Sequence, residues 1–305
     1  MKARTIEYQP GGGVRLIETA VADPAPGEVQ VRAAACGICA WDLYTYRHGS
    51  DAPSAAPPGH EGVGRVVKVG AGVSGLAEGD AVVARGFATV HNVPAERALP
   101  IPDTGIPLER WIVEPVSCVV TGLDHTRARA GDRVAVIGCG FMGLMLLQGL
   151  VRSCVHHLAA IDVNRDRLAL ARRFGVDAVY HPDDAALAGE APFDCVVDAS
   201  GAQAGLDLAT GMLAGGGVLN LFGWNHGRPS FNGDRWHLGG FTVVNSAPGS
   251  RIRNPFPPAI RLIAKRIIDL QPLITHTVPL DGYPDLLANV AAGDPGYIKG
   301  VVTLD

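Results

Sequence analysis

The chain has 305 residues, 47% of them hydrophobic and 18% charged, with a net charge of −4. That length suits about two domains, each with its own core, and the composition excludes a disordered or fibrous chain. The mildly negative charge and the lack of a basic run exclude nucleic acid as the expected partner.

The longest apolar stretch, Leu144–Val151, is interrupted by Gln148 and falls far short of the ~20 residues a membrane span needs. The opening residues MKARTIEYQP lack the apolar core of a signal peptide. Cysteines at 36, 39, 118, 139, 154 and 195 follow no disulfide pattern. A cytoplasmic protein with no membrane partner is expected.

Taken in order, residues 1 to 110 read as β-rich. Val14–Thr19, Glu28–Ala35, Gly64–Val69 and Ala81–Ala84 are strand candidates bounded by turn signals. Residues Pro53 to Pro58 read as a Pro/Ala-rich loop leading into Gly59-His60-Glu61. From Trp111 the pattern alternates between helix and strand, as in a doubly wound sheet. Six strands are expected there: Val134–Ile137, Leu158–Asp162, Ala178–Tyr180, Cys195–Asp198, Val218–Leu221 and Phe241–Val244. Helices should fall between them, for example Ala202–Leu213. Ile260, Ile263, Ala264 and Ile267 mark the apolar face of a later one. The tail, 273 to 305, again carries short apolar runs and should return to the first domain. The predicted division is therefore 1–110 with 270–305, and 111–269. Strand 241–244 offers an edge to a second copy, so a homodimer or homotetramer is expected.

The segment Arg133–Arg167 organises the second half. An apolar strand leads into Gly138-Cys-Gly140-Phe141-Met142-Gly143, then a helix, then a strand ending on Asp162. Gly138 suits the tight turn, Gly140 lets a pyrophosphate approach the backbone, and Gly143 allows close helix packing. The helix N-terminus near Phe141 directs free N–H groups at phosphate. Asp162, 24 residues after Gly138, can accept hydrogen bonds from a ribose diol. Together these predict dinucleotide binding.

A second constellation lies upstream. Cys36-Gly-Ile-Cys39-Ala-Trp41-Asp42 is followed by His60, 21 residues beyond Cys39, then Glu61, and by Glu114 ahead of the nucleotide fold. Thiol, imidazole and carboxylate are the ligand types zinc accepts. Singly, each has a plainer account: a buried thiol, a loop histidine, a helix-capping glutamate. The Cys36/Cys39 pair has no second C-x₂-C, so a four-cysteine site is rejected.

GIC-x-x-D at 37–42, GHE-x-x-G at 59–64 and Glu114-Pro115 ahead of the glycine motif resemble the medium-chain, zinc-dependent alcohol and polyol dehydrogenases. The resemblance covers nearly the whole chain, including Val69-Gly-x-Gly-Val73 and Gly79-Asp80. It implies an α/β architecture, with a GroES-like β-rich catalytic domain and a Rossmann domain carrying a parallel six-stranded sheet. By position it implies zinc held by Cys39 and His60, with Glu61 as a conditional ligand and Glu114 at the third-ligand position. Asp42 matches the acid that orients the zinc-bound His. Asp162 matches the ribose acid, with Arg167 as the basic residue near it. Ser200 and Phe222 join Gly138, Gly140, Phe141, Met142 and Gly143 as expected cofactor contacts.

Two departures stand out. No Cys occurs between 85 and 110, so the four-cysteine structural-zinc lobe is missing and one catalytic zinc per chain is expected. Trp41 stands where the family has the Ser or Thr that starts proton release, and an indole N–H cannot accept a proton. Tyr44, near Tyr46, either takes over that relay or is a packed aromatic. Trp111 and the run Trp224-Asn225-His226 are further pocket candidates, and His156-His157 reads as a turn before a strand. The expected activity is hydride transfer between a secondary alcohol or ketone of polyol, cyclitol or sugar type and NAD. The alternatives are reduction of a carbonyl or activated double bond with NAD(P)H, and a non-catalytic nucleotide-binding protein.

Overall fold

The computed structural model describes residues 1–50 and 58–304. Of the predicted Pro/Ala-rich loop, 53 to 57 lie outside the described residues. The chain divides into two compact units, Met1–Glu114 with Leu270–Asp305, and Pro115–Asp269.

The first unit is built on strands. β1 (Lys2–Tyr8) and β2 (Val14–Ala20) form an antiparallel ribbon. β3 (Glu28–Gly37) is followed by helix α1 (Ala40–His48), β4 (Glu61–Val69), β5 (Ala81–Ala84) and β6 (Val90–Pro94). The C-terminal segment adds β13 (His276–Pro279), α8 (Tyr283–Ala291) and β14 (Gly300–Thr303). The sheet order is β13-β14-β3-β4-β5, with β6 also on β3. β3 is therefore the hub: it pairs antiparallel with β4, β6 and β14. Its Val29, Val31, Ala33, Ala35 and Cys36 are all buried, as a strand paired on both sides requires. Leu280, Tyr283, Leu286, Leu287, Val302 and Leu304 from the tail pack with Ile6, Cys36, Ile38 and Phe87. N- and C-terminal segments thus share one core.

The second unit carries helices α2 (from Val113, ending at Thr126), α3 (Phe141–Leu150), α4 (Arg165–Arg173), α5 (Gln203–Met212), α6 (Gly233–Gly239) and α7 (Phe256–Ala264). Its strands are β7 (Arg133–Ile137), β8 (His157–Ile161), β9 (Ala178–Tyr180), β10 (Phe193–Asp198), β11 (Leu213–Leu221) and β12 (Thr242–Asn245). They line up as β12-β11-β10-β7-β8-β9, every neighbouring pair parallel. This is the doubly wound Rossmann order, with its switch point between β7 and β10. The short apolar runs read as strands because parallel strands covered on both faces need no polar alternation.

Some elements depart from the sequence reading. β1, β6, α1 and α8 were not anticipated. The apolar face of α7 ends earlier than its spacing suggests: the helix stops at Ala264 and Arg266 takes φ 52°, so Ile267 lies beyond it. His157 begins β8 and pairs with Glu190 at 3.4 Å.

Leu287 is fully buried where α8 meets the shared core. Truncation to alanine should cost about 3 kcal/mol, read as a lower urea midpoint. Leu238→Ala, at a position 84% exposed, should stay within about 0.5 kcal/mol of the parent.

Candidate metal and dinucleotide sites

The register of β3 and β4 sets Gly37 opposite Glu61. Cys39, two residues past the end of β3, therefore lies beside His60, one residue before β4. The thiol of Cys39, a ring nitrogen of His60 and a carboxylate oxygen of Glu61 all lie within 4.8 Å of one another. Glu114 brings Oε2 to 3.9 Å from His60 Nε2. A thiol, an imidazole and a carboxylate so gathered are a donor set that fits zinc. Cys36 is buried in the hydrophobic core.

Cys39 is the N-cap of α1, with extended backbone (φ −96°, ψ 160°). Asp42, three residues on, closes the cap: its Oδ2 accepts the Cys39 backbone N–H at 2.7 Å. Burial pushes the Asp42 carboxyl up to about 6, against the lowering by that backbone hydrogen bond and by nearby His60. Burial, with the adjacent Glu61 charge, pushes the Cys39 thiol up to about 12. A cation in the cluster would reverse that balance, since a coordinating thiol is deprotonated.

Glu61 is also held from behind. Lys299 Nζ stands 2.5 Å from its Oε2, with the two side chains 4% and 2% exposed. The same ammonium donates to the Ile38 carbonyl at 2.7 Å. Burial pulls the Lys299 pKa down, and the Glu61 carboxylate together with Cys39 and Tyr297 more than offsets it, so the group is held above its ordinary value. Gly37 makes room for the pair: a Cβ there would stand 2.1 Å from Glu61 Oε2. Sequence reasoning missed Lys299, whose partner lies far away along the chain.

Trp41 and Tyr44, also on α1, are exposed. Trp41 is 51% exposed, and its ring stacks on that of Tyr44 with centroids 5.5 Å apart. Tyr44 in turn lies 4.4 Å from the His48 ring. Tyr46 packs against the core and Trp111 is a fully buried core residue.

In the second unit the glycine turn has the expected form. Gly138 takes φ 96°, and a Cβ there would meet the Ser200 backbone nitrogen at 2.8 Å. Gly140 is the N-cap of α3 and faces open space. A Cβ on Gly143 would fall 1.8 Å from the Gly138 carbonyl oxygen, so the turn itself occupies the place of a side chain. Asp162 is buried; its Oδ2 accepts the Cys139 N–H at 2.5 Å and its Oδ1 the Asn164 N–H at 2.7 Å. Each oxygen keeps a further lone-pair direction for an incoming hydroxyl. Arg167 lies in the first turn of α4, its N–H capped by Asn164 at 3.1 Å. Ser200 donates to buried Asp198 at 2.6 Å, and Asn225 reaches that carboxylate at 3.4 Å. Phe222 fills the space beside Gly122. The Trp224 and His226 rings lie 4.0 Å apart.

Comparison with known proteins agrees with both halves. Residues 25–103 match the alcohol dehydrogenase GroES-like domain and residues 142–265 the zinc-binding dehydrogenase family. The chain belongs to the medium-chain, zinc-dependent alcohol dehydrogenase-like family. It is 27% identical to an S-(hydroxymethyl)glutathione dehydrogenase of Escherichia coli, over 93% of this chain and 95% of that protein. The solved 2R,3R-butanediol dehydrogenase of Bacillus subtilis has the same fold, with TM-score 0.86, 21% identity and 99% of each chain covered. So does a protein of Sinorhizobium meliloti described as a zinc-binding dehydrogenase and bound to NADP, with TM-score 0.87, 22% identity and 99% of each chain covered.

The protein is thus an oxidoreductase of the zinc-binding dehydrogenase type. No helix among the described residues is long and apolar enough to cross a membrane. Among residues that sequence reasoning missed, Asp198 sits at the end of β10, next to the switch point. Its only sequence signal was its place at the end of an apolar run.

The Gly143 geometry gives a direct test of the dinucleotide turn. Gly143→Ala should weaken NADH binding by at least about tenfold, because the turn must open to admit a methyl group. Fluorescence titration of NADH measures it, with circular dichroism to show that the variant is folded.

Proposed function

We propose that the protein is an NAD-dependent dehydrogenase of secondary alcohols, acting on a polyol, cyclitol or sugar-like alcohol or on the matching ketone. One catalytic zinc per chain would be held by Cys39, His60 and either Glu61 or Glu114. The observation that carries this reading is the gathering of Cys39, His60 and Glu61 within 4.8 Å, with Glu114 beside His60. When bound, zinc supplies Lewis-acid polarisation of the substrate oxygen and NAD the hydride acceptor.

The chain's own residues do the rest. Cys39 and His60 would hold the metal from the two ends of the connection between β3 and β4. Lys299 engages Glu61 from behind, and Glu114, with Oε2 3.9 Å from His60 Nε2, is the other carboxylate beside the cluster. Gly140 leaves the α3 N-terminus open to the pyrophosphate. Asp162 accepts from a ribose diol and repels a 2′-phosphate, which favours NAD over NADP. Tyr44 and His48, in ring contact, offer the proton a route along α1 in place of the hydroxyl that Trp41 replaces.

A second reading has a specific observation behind it. With Trp41 unable to accept a proton, alcohol oxidation would be slow and the site would serve reduction of a carbonyl or activated double bond. Quaternary structure and location belong to the proposal too. β12 is an edge strand with Val243 exposed, suited to pairing with a second copy of this chain in a cytoplasmic homodimer or homotetramer. The smaller β-rich unit would bind the alcohol and the Rossmann unit the NAD.

Absorbance at the NADH band, screened across alcohols, polyols, inositols and amino-cyclitols with NAD or NADP, tests the main reading. At least one polyhydroxylated secondary alcohol should be oxidised, with NAD favoured by about tenfold or more. Metal removal by chelator should abolish the rate and zinc restore it. Full activity in metal-free protein would sink the zinc mechanism.

The proton route is tested on the same substrate. Tyr44→Phe should lower kcat for alcohol oxidation by about tenfold or more, in the direction expected for loss of a proton-transfer group. Trp41→Ser should raise it. A Tyr44→Phe enzyme with unchanged kcat and pH profile would make Tyr44 a packing residue.

A further inference from the structure

A line of hydrogen-bonded side chains, Tyr283, Tyr8 and Asp42, leads to the Cys39 backbone. Tyr8, the last residue of β1, points its hydroxyl at Asp42 Oδ1, 3.1 Å away. The Tyr283 hydroxyl, at the start of α8, lies 2.7 Å from that of Tyr8. Asp42 Oδ2 is already engaged by the Cys39 N–H at 2.7 Å.

The direction of this chain follows from proton bookkeeping. An ionised carboxylate only accepts. Tyr8 has one proton, and spends it on Asp42. Its oxygen must then accept from Tyr283. The order is Tyr283 to Tyr8 to Asp42, with Asp42 held on its other oxygen by Cys39. Each member is packed: Tyr283 and Asp42 are buried, Tyr283 lies 4.6 Å from the Phe87 ring, and Tyr8 packs on the same core. β1 and α8 thus reach the α1 cap through one line of polar atoms.

We propose that Tyr8 and Tyr283 are positioning residues for the metal half-site. By holding Asp42 Oδ1 they fix the carboxylate whose Oδ2 accepts the Cys39 N–H, and so set the backbone of Cys39 and the place of its sulfur relative to His60. This rests on the reading of Cys39 and His60 as zinc ligands. It goes beyond that reading, because neither tyrosine is among the gathered donors Cys39, His60 and Glu61. It also gives Asp42 a second duty beyond any action on the histidine: it holds the thiol ligand's main chain. Groups that orient metal ligands typically change affinity by about 10–100-fold when altered.

The test uses the full-length protein, freed of metal and titrated with zinc in competition with a chromophoric chelator. Cobalt loaded in parallel reads the thiolate-to-metal absorption band. Tyr8→Phe should weaken zinc binding by about 10–100-fold and shift or weaken that band. Tyr283→Phe should act in the same sense but less, by about threefold or more, since Tyr8 keeps its bond to Asp42. The double variant should match Tyr8→Phe alone, because the hydroxyls act in series. Val93→Ala, in the separate core cluster of the same unit, should leave zinc affinity unchanged. A folded Tyr8→Phe protein with parental zinc affinity and cobalt spectrum overturns the proposal. If Tyr8→Phe does not fold, an unchanged affinity in Tyr283→Phe does the same. If the parent protein binds no zinc, or Cys39→Ser binds it as tightly as the parent, the metal reading itself falls, and the positioning role with it.

Discussion

In the first unit, an antiparallel pairing turns a sequence separation into a chemical neighbourhood. β3 and β4 place Gly37 opposite Glu61, and the ends of the two strands then carry Cys39 and His60 side by side. A slip of one residue would turn Glu61 to the other face of the sheet, away from Lys299 and from the thiol. The register is held on three sides, since β3 also pairs with β6 and β14. The Lys299–Glu61 ion pair adds a further constraint. Burying two such charges costs several kcal/mol, and their attraction only repays it. Removing one partner, however, would strand the other in the core at about 3–5 kcal/mol. The pair therefore contributes less to net stability than to specifying a single register. Gly37 is the steric condition for it.

The Rossmann unit obeys a different logic. Its inner strands need no alternation and no polar code, because each lies between helices and neighbours. What is specified is the single turn from β7 into α3. Gly138 is forced by φ and by the backbone of Ser200, and Gly143 by the carbonyl of Gly138. Gly140 is forced by nothing inside the protein: a Cβ there would meet open space. Two of the three glycines are thus explained by the fold and the third points outward, to something that must come close to the backbone.

That contrast also explains what was legible in the sequence. The inner parallel strands could be read because burial on both faces writes itself as short Val/Ile/Leu/Ala runs, and the less buried edge strands β9 and β12 by their short β-branched and aromatic runs. The glycine motif and Asp162 could be read because their spacing is local. α1 could not: Ala40–His48 is polar and aromatic on all sides, and a cap made by Cys39 and Asp42 does not look like the usual Ser or Thr start. β1 was hidden by charged alternation in Lys2–Tyr8. The end of α7 was misjudged because Ile267 keeps the helical spacing, while the left-handed turn at Arg266 is not signalled by its residue type. Lys299, Tyr8 and Tyr283 were out of reach for another reason. Each acts on a partner more than thirty residues away, and nothing local to them records it.

Trp41 shows how far such local reading goes. As a residue type it argues against direct proton acceptance, and that conclusion does not depend on the structure. Its surroundings add the rest. The ring stacks on Tyr44, Tyr44 touches His48, and the Thr45 hydroxyl is committed to the Trp41 carbonyl at 2.9 Å. The threonine hydroxyl nearest in sequence is therefore already donating its proton to the backbone. A proton leaving along α1 has the phenol and then the imidazole as its next polar groups, on the exposed side of a helix whose buried side holds Asp42. On the proposed reading the helix separates two tasks by face: the inner one would fix the metal ligand Cys39, and the outer one faces water, where a proton could be released.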